Sequence, residues 1–314
     1  MAWHNRHPWL IPSLTVVFVS LSLVATYLVS VLNGHVAPAF PYISDTGTVV
    51  PDSAIFGQLL NLSAGFLAVT IQLRYMQLKA LSRRHYFPRK RLWTFLARAF
   101  TAVGFVAAFG VSMVANFQEL VYPNVHWIGA MLAFGCGVVY IWTQTILGYR
   151  YFYRRHHLLS HVRLLLSIAT TISLVTFAVG GYLSGKVEFP INVKVNKLKW
   201  SAEHPGYQWH LMSTISEWLL AGGIMAYVAS YAIELKGTRL EKARLIFSAR
   251  DDLLAAIQRQ SRNGAGATEF DPLLVPGNYF AVTNSTHSLP NGRPDIQRSS
   301  SDYGSSWKTS SLLR

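Results

Sequence analysis

The chain has 314 residues, of which 51% are hydrophobic and only 13% are charged, and its formal net charge is +14. An ordinary soluble domain carries about 25% charged residues, so this composition excludes one and indicates a membrane protein with several spans. The Lys and Arg residues lie between apolar runs rather than on one face of a soluble domain. We therefore expect membrane lipids, and no nucleic acid, as partners. The single cysteine, Cys136, excludes an intramolecular disulfide and a cysteine-based metal site.

Six apolar segments follow in chain order, and each is long enough to cross about 30 Å of hydrocarbon as a helix. They cover residues 10–32, 54–75, 92–116, 127–147, 164–183 and 209–233. The first is too long to be the core of a cleaved signal peptide, which has roughly 7–15 residues. The sequence therefore predicts an all-α integral membrane protein, a six-helix transmembrane bundle with a disordered cytosolic C-terminal tail.

The distribution of Lys and Arg predicts the orientation. The loops after the second and fourth spans and the stretch after the sixth are rich in these residues, whereas the opposite loops have them only within residues 184–208. By the positive-inside rule, both termini face the cytosol. Residues 1–9 then form a cytosolic N-terminus and residues 10–235 the membrane domain. We expect residues 236–260 to form an amphipathic surface helix or a solvated helical stub, and residues 261–314 to be disordered. Alternating apolar residues at 187–195 suggest a short hairpin.

Polar residues recur toward the non-cytosolic ends of the spans. Glu217 lies roughly 12 Å inside the sixth span at 1.5 Å per residue, too deep for its carboxylate to reach the headgroups. We expect it to face the bundle interior near Asn61 or Asn116. The predicted intramembrane polar cluster consists of Asp45, Gln58, Asn61, Asn116, His126, His210 and Glu217. Two interpretations remain open: hydrogen bonds that join helices, or a pocket that binds or carries a lipid headgroup or an ion.

Catalytic residues, cofactors and metal ions are not predicted. The sequence contains no Gly-x-Ser-x-Gly elbow, no His-Glu-x-x-His motif and no Walker loop. His157 and His161 share a helical face, but beside Arg154 and Arg155 a basic role at the membrane surface is preferred to a metal site. The sequence thus predicts a protein that is not an enzyme.

The C-terminal tail contains two sorting-type patterns. Glu269 with Leu273 and Leu274 fits the acidic dileucine form, and Tyr279 with Val282 fits the tyrosine form. Both require an extended peptide in the cytosol, which a disordered tail supplies. These motifs predict recognition by clathrin adaptor complexes and delivery to endosomes and lysosomes.

Several short blocks together carry a family resemblance. They are Pro-Tyr-Ile-Ser-Asp-Thr-Gly at 41–47, Asn-Phe-Gln at 116–118, His-Trp-Ile-Gly-Ala at 126–130, Gly-Val-Val-Tyr-Ile-Trp-Thr-Gln at 137–144, and His210 followed by Ser-Glu-Trp at 216–218. In this order they resemble the signature of the damage-regulated autophagy modulator (DRAM) family, within the wider group of Frag/DRAM-like six-span membrane proteins. The resemblance covers about residues 10–235.

The resemblance implies a non-enzymatic protein of the lysosomal or endosomal membrane that modulates autophagy. It also leaves an alternative, because some relatives resemble plasma-membrane organisers of phosphoinositide-kinase complexes. Autophagy proteins or lipid kinases are therefore expected partners. Within the signature, the loop 41–47 is predicted to be ordered, because Pro41 and the following Pro51 restrict the backbone, and Asp45 and the hydroxyl side chains bond readily to nearby backbone groups.

Overall fold

The computed structural model describes residues 7–84, 90–151, 157–187, 196–236 and 238. Seven α-helices occur in this part of the chain: α1 (Leu10–Leu32), α2 (Asp52–Arg84), α3 (Lys90–Asn116), α4 (Pro123–Ala130), α5 (Gly137–Tyr151), α6 (His157–Gly185) and α7 (Tyr207–Leu235). A π-helical segment, Met131–Cys136, joins α4 to α5, so these three pieces form one continuous span. Short 3₁₀ turns lie at Asp45–Gly47 and Lys197–Lys199.

The predicted six spans are confirmed, because six helices are long and apolar enough to cross a membrane. The first has the predicted bounds, whereas α2 and α6 continue well past theirs on the side that is rich in arginine. The described residues contain no strand. The predicted hairpin falls almost entirely on residues 188–195, which lie outside the described residues. The predicted tail and nearly all of the predicted amphipathic helix also lie outside them.

The helices have aliphatic outer faces and small polar inner faces, as a bilayer requires. On α1, Val17, Leu21, Val24 and Leu28 are exposed, whereas the opposite face buries Ser22, Thr26 and Ser30. The helix α6 repeats this arrangement, with exposed leucine, isoleucine and valine and a buried row of serine and threonine. Lipid tails are as apolar as leucine, so helices in a membrane associate through close packing and hydrogen bonds rather than by burying aliphatic side chains.

The spans form a closed ring. Each packs on its neighbour in chain order, and α7 packs against both α6 and α1. Glycines permit the closest approaches: a Cβ on Gly110 of α3 would lie 2.4 Å from the backbone nitrogen of Ala133, and one on Gly180 of α6 would lie 2.9 Å from the backbone nitrogen of Ser213. These contacts hold neighbouring spans together and leave space inside the ring.

Candidate functional site

The loop formed by residues 41–47, called the cap loop below, covers one end of the ring and is held there by α7. The backbone N–H of Ile43 donates a hydrogen bond to Oε2 of Glu217 at 2.8 Å, and Nε1 of Trp218 donates one to the carbonyl of Pro41 at 2.9 Å. The first of these bonds is buried and the second partly buried, and together they fix the loop on consecutive residues of the last span.

Hydroxyl groups of the cap loop form further hydrogen bonds, and the loop is ordered, as predicted. Thr46 donates to the carbonyl of Ile43 at 2.8 Å and lies 3.1 Å from the hydroxyl of Thr26 on α1. Ser44 donates to Oε2 of Glu119 at 2.6 Å. The loop also fits tightly, since a Cβ on Gly47 would lie 2.4 Å from the Phe56 ring of α2. The cap loop therefore contacts α1, α2 and α7 together.

Asp45 is buried in the cap loop, with only 6% of its surface exposed. Burial raises the pKa of its carboxyl well above the usual range, and the neighbouring carboxylates of Glu119 and Glu217 raise it further. The hydrogen bond from the backbone of Tyr42 and the charge of Lys197 act in the opposite direction but are smaller. Burial likewise raises the pKa of Tyr42 above its usual range. The cap loop thus favours a protonated acid.

The predicted polar cluster is divided among separate places. Glu217 lies inside the bundle, as predicted, but the prediction that it faces Asn61 or Asn116 was wrong, because its partner is the cap loop. Asn61 and Asn116 instead hydrogen-bond to each other at 2.9 Å, with Ser112 donating to Asn61 at 2.7 Å. Gln58 does not join any interior group, because it is exposed on the outside of α2.

The two predicted histidines are both buried, in different surroundings. Nδ1 of His126 lies 2.6 Å from the carbonyl of Phe117 and ties the start of α4 to the end of α3. The ring of His210 stacks on Trp200, with 4.7 Å between centroids, and lies in an edge-to-face contact with Tyr42, with 5.0 Å between centroids. Of the predicted residues, Asp45 therefore lies in the cap loop, while Glu217 and His210 contact it.

The opposite end of the ring contains a buried ionic group that the sequence interpretation missed. Glu234 of α7 lies between two guanidinium groups: Nη1 of Arg163 donates to its Oε1 at 2.5 Å, and Nη1 of Arg74 donates to its Oε2. These three residues, called the arginine layer below, are at most 6% exposed. Three spans are joined in this way, because Arg74 lies on α2 and Arg163 on α6.

Further contacts surround the arginine layer. Nε of Arg74 donates to Gln144 at 3.1 Å, and Nε of Arg163 donates to Ser230 at 2.8 Å. The ring of Tyr231 lies 5.1 Å from one guanidinium carbon and 4.9 Å from the other. Buried guanidinium groups need such paired and aromatic partners, since an isolated charge in the hydrocarbon region is expensive.

A signal for the arginine layer was present in the sequence. Tyr227, Tyr231 and Glu234 recur at intervals of four and three residues, which places them on one face of the last span. Arg74, at the end of the predicted second span, and Arg163, just before the fifth, were counted with the basic loops under the positive-inside rule. The rule counts charges near span ends and does not distinguish a side chain that points into the bundle from one that points to water.

An interior cavity of about 150 Å³ lies between the cap loop and the arginine layer. Along α7 its wall runs from Glu217 to Tyr231, about 21 Å at 1.5 Å per residue. Five of the six spans contribute to its lining, which is mostly apolar and includes Val19, Leu60, Val111, Ile224 and Val228. Ser44, His126 and Glu217 line the end at the cap loop, and Tyr140, Tyr227 and Tyr231 line the other.

Residues 7–238 match the family model described as "Frag1/DRAM/Sfk1/Cwh43P N-terminal domain". The chain belongs to the DRAM family. The match covers the whole ring, including the cap loop and the arginine layer. It agrees with the range indicated by the sequence blocks.

Two autophagy modulators resemble the chain over most of their own length, and a third resembles it over a shorter stretch. DNA damage-regulated autophagy modulator protein 1 of Homo sapiens is 35% identical over 233 residues, which cover 73% of this chain and 92% of that protein. DNA damage-regulated autophagy modulator protein 2 of Bos taurus is 33% identical over 232 residues, covering 74% and 85%. Modulator of macroautophagy TMEM150B of Danio rerio is 31% identical over 142 residues, covering 45% and 57%. No solved structure matches the chain.

Proposed function

We propose that this DRAM-family protein modulates autophagy as a non-enzymatic, multi-pass protein of the lysosomal or endosomal membrane. The observation that carries the proposal is the 35% identity to DNA damage-regulated autophagy modulator protein 1, which extends over 92% of that protein. The family match covers residues 7–238, which contain all six spans. The family blocks at 41–47 and 216–218 meet at the cap loop, where Glu217 and Trp218 form hydrogen bonds with the loop backbone.

The endolysosomal location rests on two features. The sorting patterns at Glu269, Leu273, Leu274, Tyr279 and Val282 fit adaptor recognition, and they lie outside the described residues. The raised pKa of Asp45 suits a lumen of low pH, because the cap loop favours the protonated acid.

The function is tested by deleting the protein in its own cells and measuring autophagic flux, as turnover of an autophagosome marker with and without a lysosomal inhibitor. We expect flux to fall and to be restored by the wild-type chain. Unchanged flux after complete deletion would contradict the proposal.

The location is tested with the triple variant Leu273→Ala, Leu274→Ala and Tyr279→Ala, which should move the protein from lysosomes to the cell surface. The tail itself supplies a matched control, Tyr303→Ala with Leu312→Ala and Leu313→Ala. These residues are of the same types but lack the acid and the spacing that the motifs require. If both triple variants remain on lysosomes, these motifs are not the signal.

The orientation, with both termini in the cytosol, is tested by glycosylation. The acceptor Asn284-Ser285-Thr286 in the tail should remain unmodified. Lys194→Thr places a threonine two residues after Asn192 in the opposite loop, and that site should gain a glycan. The reverse pattern would overturn the orientation and the role of the tail motifs with it.

A further inference from the structure

The interior cavity has the shape of a site for one alkyl chain. A water-sized group occupies about 10–15 Å³ of cavity volume, so 150 Å³ accommodates on the order of ten such groups. The cavity is drawn out over about 21 Å of α7, roughly two-thirds of the hydrocarbon thickness. An elongated, mostly apolar cavity of this length suits an extended alkyl chain.

The two ends of this cavity differ in charge. At the arginine layer, Glu234 pairs with both guanidinium groups, and the tyrosine rings separate these charges from the cavity. At the cap loop, the Glu217 side chain itself lines the cavity and is 5% exposed. No described Lys, Arg or His forms an ion pair with it. Asp45 and Glu119 add two further acids nearby.

We propose that the interior cavity binds a long-chain primary amine, with its alkyl chain along α7 and its ammonium group at Glu217. An ammonium group complements the acidic end, and a charge-assisted hydrogen bond to a buried carboxylate is stronger than a neutral one. The apolar wall favours the chain by the hydrophobic effect. A fatty acid of the same length would place a second carboxylate beside Glu217, which like-charge repulsion disfavours. This inference goes beyond the proposed role in autophagy and does not depend on it.

The test uses the full-length protein in phosphatidylcholine nanodiscs and a dodecylamine that carries a photoreactive group at the far end of its chain. We expect saturable labelling, mapped to peptides near Tyr140 or Tyr231. Unlabelled dodecylamine should compete about tenfold or more better than dodecanoate or dodecanol, the difference expected from one charge-assisted contact. Labelling that does not saturate, or equal competition by all three compounds, would overturn the proposal without requiring any variant.

Two variants with matched controls locate the site. Ala221→Phe fills the cavity from α7 and should abolish labelling, whereas Ala226→Phe, at an exposed position of the same helix, should not. Glu217→Gln keeps an oxygen for the Ile43 N–H but removes the charge, and it should weaken amine binding about tenfold. Glu203→Gln, on an exposed glutamate, should leave binding unchanged. Full labelling of Ala221→Phe, or unchanged amine preference in Glu217→Gln, would show that the amine binds elsewhere.

Discussion

The two ends of the ring both bury acidic residues, yet they stabilise them in different ways. At the arginine layer, Glu234 is surrounded by two guanidinium groups, polar side chains and a tyrosine ring. At the cap loop, Glu217 accepts a hydrogen bond from a backbone N–H and has no ion pair among the described residues, while Asp45 and Glu119 lie nearby.

This difference indicates a structural role for the arginine layer, and a role for the cap loop in responding to pH or to a ligand. Removing one member of a compensated ionic group leaves a buried charge without its partner, so the arginine layer should be essential for folding. The acids at the cap loop can instead gain a proton or meet a cationic ligand. We therefore expect substitutions at the arginine layer to act mainly on stability, and substitutions at the cap loop to act on pH response and binding.

The largest effect is expected at the arginine layer. Arg74→Ala should lower the free energy of unfolding by about 3–5 kcal/mol, because it leaves Glu234 and Gln144 short of a buried donor. The measurement is unfolding of the purified protein in detergent. Arg98→Ala is the matched control, since Arg98 is exposed on α3. Similar losses for the two variants would contradict the distinction between the ends.

A smaller loss is expected where the cap loop packs on α2. Gly47→Ala should destabilise the protein by about 1–3 kcal/mol, because the added methyl group would lie 2.4 Å from the Phe56 ring and force the loop or the ring to move. In Gly65→Ala no atom lies within 4 Å of the added Cβ, so this control should be neutral in the same unfolding measurement. A neutral Gly47→Ala would mean that the loop is loosely packed.

The pH dependence of stability should report on Asp45. Its pKa is raised in the folded protein, so the folded state retains a proton that the unfolded state loses. Stability therefore falls as pH rises above the ordinary aspartate pKa of about 3.9 and toward the folded value.

Asp45→Asn should make the unfolding temperature less dependent on pH between about 4 and 7, because the amide resembles the protonated acid and cannot ionise. The unfolding temperature is measured across this range for wild type, Asp45→Asn and the exposed control Glu203→Gln. A slope that survives in Asp45→Asn would assign the effect to another group.

The smallest effect is expected at the amide pair outside the cavity. Asn61→Ala should cost about 0.6–2 kcal/mol, the range for a hydrogen bond between membrane helices. A double-mutant cycle with Asn116→Ala isolates the coupling between the two amides. Coupling indistinguishable from zero would remove this pair from the contacts that hold α2 against α3.

Much of the fold could be predicted from the sequence because hydrocarbon thickness limits where a helix can lie. The bounds of α1 and the number of spans follow directly from apolar length. The order in the loop 41–47 could also be predicted, since proline and the hydroxyl side chains favour local turns. The extension of α2 to Arg84 could not, because charged residues beyond the bilayer are compatible with a helix or a loop.

The candidate site was only partly predictable, because sequence spacing places residues on a helical face without saying which face meets which. Glu217 was correctly expected in the interior, but its partner lies 174 positions away, in the cap loop. Asn61 and Asn116 were expected beside it and instead satisfy one another. The arginine layer was missed because Arg74 and Arg163 also fit the positive-inside pattern.

One pair of isosteric substitutions compares what the buried acids do at the two ends of the ring. Glu217→Gln and Glu234→Gln each remove one negative charge from α7 and keep the side-chain shape. Both variants are unfolded in the same detergent as wild type. We predict that Glu217→Gln stays within about 1 kcal/mol of wild type, because the amide oxygen can still accept from Ile43. Glu234→Gln should lose about 3 kcal/mol or more, because it leaves two guanidinium groups without a counter-charge. Equal losses, or a larger loss for Glu217→Gln, would show that the buried acids at the two ends do not differ in this way.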